Sequence, residues 1–195
     1  MKKKSSLILL LLAFVLLLGG ATVLYQRLSQ DAAPDQLAAQ TPEPEEHTGE
    51  TESGESESAP APDFTVYTAD GTEARLSDYL GTPVVLNFWA TWCGYCKMEM
   101  PDFNEVYQEL DGSVQFLMVN VTTSSQETLE KASAYVEEEG FTFPVFYDTT
   151  GEATQTYGAY SLPTTYFIDA EGNLAAYAAG AIDRDLLMQG IDLCS

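Results

Sequence analysis

The run Pro83-Val84-Val85-Leu86-Asn87-Phe88-Trp89-Ala90-Thr91-Trp92-Cys93-Gly94-Tyr95-Cys96 decides how this chain is read. From Pro83 to Trp89 it is apolar except for Asn87, as expected of a central strand covered on both faces. The period then changes. From Cys93 to about Leu110 the residues Phe103, Val106, Tyr107 and Leu110 recur at helical spacing, Glu105 and Glu109 can face water, and Asp111-Gly112 ends the helix. Cysteines three apart at a helix start can close a disulfide, and the unpartnered N–H groups of the first turn stabilise a thiolate there. Cys93 is then the exposed nucleophile, and Cys96, one turn deeper, resolves the mixed disulfide by attacking its sulfur.

A C-x-x-C pair is by itself compatible with half of a zinc site or with a structural disulfide. Zinc needs two further ligands, whereas after residue 60 there is one more cysteine, Cys194, and no histidine, so carboxylates would have to complete the set. A structural bridge within four residues closes a very short loop and constrains the unfolded chain little. No cofactor is expected. Cys194, one residue from the end, lacks a partner near it in sequence and is expected to be a free, exposed thiol available for intermolecular pairing.

Working outward, Asp63 to Ala69 reads as a strand turning at Asp70-Gly71, and Ser77 to Gly81 as a short helical turn capped by Ser77. Val114 to Val121, Phe143 to Tyr147, Thr164 to Ile168 and Leu174 to Ala179 read as strands; Gln126 to Glu139 and Arg184 to Leu193 read as helices. The order predicts an α/β domain with a central mixed sheet flanked by helices, in which the strands from Pro83 and Val114 are parallel neighbours. Two further positions bear on chemistry. Leu162-Pro163-Thr164 marks a structural turn, a strand entrance or a cis bond, because proline cannot donate within a ladder. Glu99, three residues after Cys96 on the same helix, either reaches toward the buried sulfur or joins Lys97 on a solvated face.

The first third of the chain does not read as core. Residues 1–28 hold Lys2, Lys3 and Lys4 and the uncharged apolar run Leu7 to Leu24. Eighteen residues at ~1.5 Å each span about 27 Å, close to the hydrocarbon core of a bilayer. This segment is expected to anchor the chain in the lipid bilayer through residues 7–24, with the lysines cytoplasmic and the remainder outside. A cleaved signal peptide fits the same residues and puts the domain in the same compartment. Residues 29–61 carry nine carboxylates and one large aliphatic residue, Leu37, and are expected to be a disordered, extended linker to a folded domain over 62–195. After residue 60 there are 21 acidic residues against Arg75, Lys97, Lys131 and Arg184, a balance that repels phosphate and argues against a nucleic-acid partner.

Asn87 to Pro101, then Val119-Asn120-Val121, Phe143-Pro144-Val145 with Asp148, and Leu162-Pro163-Thr164-Thr165-Tyr166-Phe167-Ile168-Asp169 with Gly172, resemble the membrane-anchored thioredoxin-like thiol-disulfide oxidoreductases of the TlpA and ResA type. The resemblance runs from about Ala61 to Ile191. It implies a thioredoxin-like fold with an N-terminal β-hairpin extension, Cys93 as nucleophile and Cys96 as resolving thiol in a redox-active disulfide. It also implies a cis bond between Leu162 and Pro163, with Trp92, Gly94, Tyr95, Leu162, Pro163 and Thr164 around the substrate. It raises Glu99 to a candidate for managing the proton on Cys96, since Asn87 stands where thioredoxins have an acid; a second family acid would fall near Thr123, which has no charge. The partners implied are exported proteins with disulfides, apocytochrome c among them, and a membrane electron-donor protein. A reductase is the leading expectation; a non-catalytic thioredoxin-like binding module, a thiol oxidase and a peroxidase-like protein are the alternatives, the last disfavoured because no Thr-x-x-Cys occurs.

Overall fold

The computed structural model describes residues 59–123 and 126–195, together with Ala38 and Ala39. The expected anchor over residues 7–24 and most of the expected linker lie outside the described residues. Among those described, no helix is long and apolar enough to cross a membrane.

The strands are β1 (Ala38–Ala39), β2 (Thr65–Tyr67), β3 (Glu73–Arg75), β4 (Val84–Trp89), β5 (Gln115–Asn120), β6 (Val145–Tyr147), β7 (Thr164–Ile168) and β8 (Leu174–Ala179). The helices are α1 (Gly94–Leu110), α2 (Leu129–Glu139), α3 (Glu152–Tyr157) and α4 (Arg184–Leu193), with a 3-10 turn over Leu76–Tyr79. One sheet runs in the order β1-β8-β7-β4-β5-β6-β2-β3. β4 is parallel to β5 and antiparallel to β7, β5 is parallel to β6, and β2 and β3 form the antiparallel hairpin. This is the thioredoxin-like α/β fold that the sequence predicts.

All six residues of β4 are buried, and their alternation divides the core in two. Val84, Leu86 and Phe88 pack with Phe64, Leu117 and Tyr157 under the hairpin and α3. Val85 and Trp89 pack with Met100, Phe103, Phe167 and Leu187 under α1 and α4. The β4–β7 register pairs Phe88 with Thr164 and Val84 with Ile168. The loop before β7 therefore meets the end of β4 that leads to the cysteines, and the turn after β7 lies at the opposite end. At that opposite end Pro60 bridges Asn173, and Ala61 N–H donates to Gly172 O at 2.8 Å, while earlier in the chain Ala38 and Ala39 pair with Tyr177 and Ala176 of β8.

Four local expectations change. The 3-10 turn is not capped by Ser77: Asp78 accepts from Arg75 N–H at 2.8 Å, while the Ser77 N–H and hydroxyl both bond Asp63. α2 begins at Leu129 rather than Gln126, because Thr128 caps it by accepting from Lys131 N–H. The sequence reading contains no counterpart of α3. That short helix is held from outside, the buried Asp148 carboxylate accepting the Thr154 N–H at 2.8 Å and its hydroxyl at 2.6 Å. Cys194 is buried at 3 % exposure, not exposed, because it continues the inward stripe Leu187, Gly190, Ile191 of α4. Its thiol donates to Ile191 O at 3.2 Å, and burial pushes its pKa up to about 11, so it is a poor partner for intermolecular exchange.

Gly190 is where α4 comes closest to the sheet. A Cβ there would lie 2.2–2.4 Å from three carbons of the Phe167 ring, which is itself fully buried. Gly190→Ala is expected to lower unfolding free energy by about 1–3 kcal/mol through overpacking, despite alanine's better helix propensity. Calorimetry of Gly190→Ala beside Gly190→Ala/Phe167→Leu checks this: the second change should recover part of the loss by making room.

Candidate active site

β4 delivers the cysteines. Beyond Trp89 the chain leaves the ladder, Cys93 N–H donates to Ala90 O at 3.1 Å, and Cys93 becomes the N-cap of α1. Its sulfur occupies the place that a capping serine oxygen would take, accepting from Cys96 N–H at 3.1 Å. Cys93 and Cys96 form a disulfide with Cα atoms 5.3 Å apart. Cys93 is 6 % exposed and Cys96 fully buried, so Cys93 is the outer sulfur but shows only a small part of its surface.

Trp92 and Tyr95, expected at this site, are exposed at 56 % and 67 %; Trp92 precedes Cys93 and Tyr95 stands between the two cysteines. Gly94 is exposed too, and a Cβ there would meet nothing within 4 Å, so no steric demand fixes glycine at that position. The Leu162–Pro163 bond is cis. Pro163 is buried and its carbonyl accepts from Gly180 N–H at 2.9 Å, while the Thr164 hydroxyl donates to Ser161 O at 2.6 Å. Leu162 and Trp92 together line a groove of about 340 Å³ whose other walls include Val121, Thr123 and Tyr160.

Glu99 is on the interior face of α1 rather than with Lys97 in solvent, at 2 % exposure. Oε1 accepts from Asn87 Nδ2 at 2.8 Å and Oε2 from Ile182 N–H at 3.0 Å. Asn87 Nδ2 also donates to Thr165 Oγ1 at 2.9 Å, its own cross-strand neighbour in the β4–β7 register. Burial raises the Glu99 pKa from 4.5 to about 8, opposed by the bonds from Ile182 and Asn87. The acid borders a hollow of about 290 Å³ shared with Met98, Asp102 and Asp183. With the disulfide closed it makes no hydrogen bond to either sulfur.

A further buried acid near the cysteines was not anticipated. Glu127, 1 % exposed, accepts from Thr91 N–H at 2.8 Å, from the Thr91 hydroxyl at 2.5 Å and from Asn120 Nδ2 at 2.6 Å. The helix expected from Gln126 would include Glu127 in its first turn. Recognising Thr128 as the cap would have set it outside the helix, but no local signal marks it as buried. Among the described residues no cluster of three His, Cys, Asp or Glu side chains is placed to hold a metal ion.

A family model described as the AhpC/TSA family matches residues 58–177. The thiol-disulfide oxidoreductase ResA of Geobacillus thermodenitrificans is 37% identical over 133 residues, covering 68% of this chain and 74% of that protein. Among solved structures, the exposed lipoprotein thioredoxin Etrx1 of Streptococcus pneumoniae superposes with a TM-score of 0.60 at 33% identity, covering 67% of this chain and 98% of that one. A DsbF homologue from Corynebacterium diphtheriae superposes with a TM-score of 0.65 at 25% identity, covering 83% and 94%.

The Glu99 pKa has a consequence for stability. Between about 4.5 and 8 the native state holds a proton that the unfolded chain has released, so stability falls as pH rises through that window and levels off above it. At pH 7 the cost is roughly 3 kcal/mol. Glu99→Gln, which cannot ionise, should flatten this slope and gain on the parent progressively from pH 5 to pH 8. Urea midpoints of both proteins across that range check it; parallel curves would mean that Glu99 titrates like an ordinary surface carboxylate.

Proposed function

This chain belongs to the AhpC/TSA family, as a ResA/TlpA-like thioredoxin-fold thiol-disulfide oxidoreductase, and on that premise we propose that it reduces disulfides of exported proteins outside the cytoplasm. The observation that carries the reading is the Cys93–Cys96 pair at the N-terminus of α1, with a backbone N–H already aimed at the outer sulfur. In the reduced protein the Cys93 thiolate attacks one sulfur of a substrate disulfide; that S–S bond breaks and the departing substrate thiolate takes up a proton. Cys96 then loses its proton and attacks the Cys93 sulfur, releasing the second substrate thiol and leaving the Cys93–Cys96 disulfide. Two electrons from a membrane thiol donor restore the dithiol.

Glu99 in its ionised form is the acceptor for the Cys96 proton, with the acidic hollow as its route to solvent. A pKa near 8 suits a group that must both take and release a proton near neutrality. Trp92, Tyr95 and the Leu162–Pro163–Thr164 segment border the approach to Cys93. Because the Pro163 carbonyl is engaged by Gly180, Leu162 is the residue of that segment left to pair with an extended substrate backbone. Gly94 leaves the surface between the cysteines low. The apolar run over residues 7–24 anchors the chain, residues 29–61 tether it, and the domain over 62–195 works on the far side of the membrane. The folded part's 21 acids against four bases favour basic substrates, a property expected of apocytochrome c.

Direction is tested by equilibrating the pair with glutathione: a reductase should have a potential well below the about −120 mV of a strong oxidant such as DsbA, and a value near that figure would make the protein an oxidase. Cys93→Ser should abolish insulin reduction, whereas Cys96→Ser should accumulate a mixed disulfide visible by mass. Retained activity in Cys93→Ser would favour a binding module with incidental cysteines. The helix-start N–H groups should hold the Cys93 pKa below the ~8.5 of a free cysteine, and burial should hold Cys96 above it. Glu99→Gln should change the pH–rate profile of the resolving step while leaving Cys93 thiolate absorbance against pH unchanged.

A further inference from the structure

The carboxylate of Glu127 takes no part in the chemistry above, yet it is among the most buried polar groups of the domain. A buried carboxylate is tolerated where its oxygens are hydrogen-bonded, and the location of the donors shows what is being held. Two of the three bonds come from Thr91, in the link between β4 and α1 two residues before Cys93. The third comes from Asn120, the last residue of β5 and the register partner of Trp89. Asn120 is itself oriented: its Oδ1 accepts from the Thr122 hydroxyl at 2.8 Å, which turns Nδ2 toward Glu127.

The link needs such a clamp. Residues 90–92 belong neither to the ladder nor to the helix, so the Thr91 N–H has no strand or helix partner, and Glu127 supplies one. Trp92, the next residue, walls the groove with Val121, Thr123 and Leu162, and Val121 and Thr123 lie on the segment that Glu127 closes. We propose that Glu127 is a positioning residue for the reacting pair, clamping Thr91 to the end of β5 and thereby setting where Trp92 and Cys93 stand toward an incoming polypeptide. This rests on the reading of Cys93 as the nucleophile.

Three full-chain variants test it. Glu127→Ala removes all three bonds. Glu127→Gln can keep them, its carbonyl accepting from Thr91 N–H and Asn120 and its amide donating to the Thr91 hydroxyl. Thr91→Val keeps the backbone bond and loses the hydroxyl bond. Glu127→Ala is expected to raise the KM for insulin about fivefold or more and to shift Cys93 thiolate titration upward, because the sulfur no longer sits squarely on the helix start. Glu127→Gln should restore both to within about twofold, and Thr91→Val should fall between. In the double variant Glu127→Ala/Thr91→Val the losses should not add, since both changes break one contact.

Parent-like KM and Cys93 titration in Glu127→Ala would overturn the proposal, and so would a Glu127→Gln no better than alanine. If Glu127→Ala does not fold, Thr91→Val decides, and unchanged values there overturn it. Cys93 titration needs no substrate, so it judges the positioning claim even if Cys93→Ser were to disprove the reductase reading.

Discussion

A strand with no free edge and no free face is the constraint on which the rest depends. β4 is hydrogen-bonded to β5 on one side and β7 on the other, and both its faces are buried, so it cannot shift register without moving every side chain to the wrong core. Its C-terminal end is therefore fixed in space, and Cys93 follows four residues after that end and Cys96 seven. Loop precision near Cys93 is inherited from this strand and from the start of α1. The same register carries the Leu162–Pro163 turn to the same end through Thr164 and Phe88.

The polar residues of the interior are placed with comparable economy. Asn87 faces α1 from the middle of β4, where an apolar residue would be expected, and there it donates to both Glu99 and Thr165. Two of the buried acids, Glu99 and Glu127, differ in their donors. Glu99 has one oxygen on a side-chain amide and one on a backbone N–H, and burial outweighs both, so its proton is held into the neutral range. Glu127 receives three bonds, all from residues at strand ends or the link to α1, and serves as a brace. The donors tie Glu99 to β4 and to the segment before α4, and Glu127 to the link before Cys93 and the end of β5.

The legibility of the sequence follows these distinctions. β7, β8 and α4 have the limits that their patterns predict, because a period-2 or helical stripe bounded by Gly172-Asn173 or Asp183 is a local signal. The cysteine pair was legible as a motif at the change from strand to helix, the parallel partnership of β4 and β5 followed from the handedness of crossovers, and the hairpin came with the family resemblance. The inward turn of Glu99 came from family resemblance, since spacing alone left it undecided against Lys97. α3 is six residues long and is held by Asp148 from outside the helix, so nothing within Glu152–Tyr157 announces it. Cys194 was misread because its burial depends on the phase of α4, whereas it was judged by nearness to the chain end; Glu127 went unremarked because its partners Thr91 and Asn120 come from other elements.

The bridge between Pro60 and Asn173 lies at one pole of the domain and the sulfurs at the other. At that point the chain crosses the domain away from the groove beside Cys93, and the approach to the sulfurs is left to the loops after β4 and before β7.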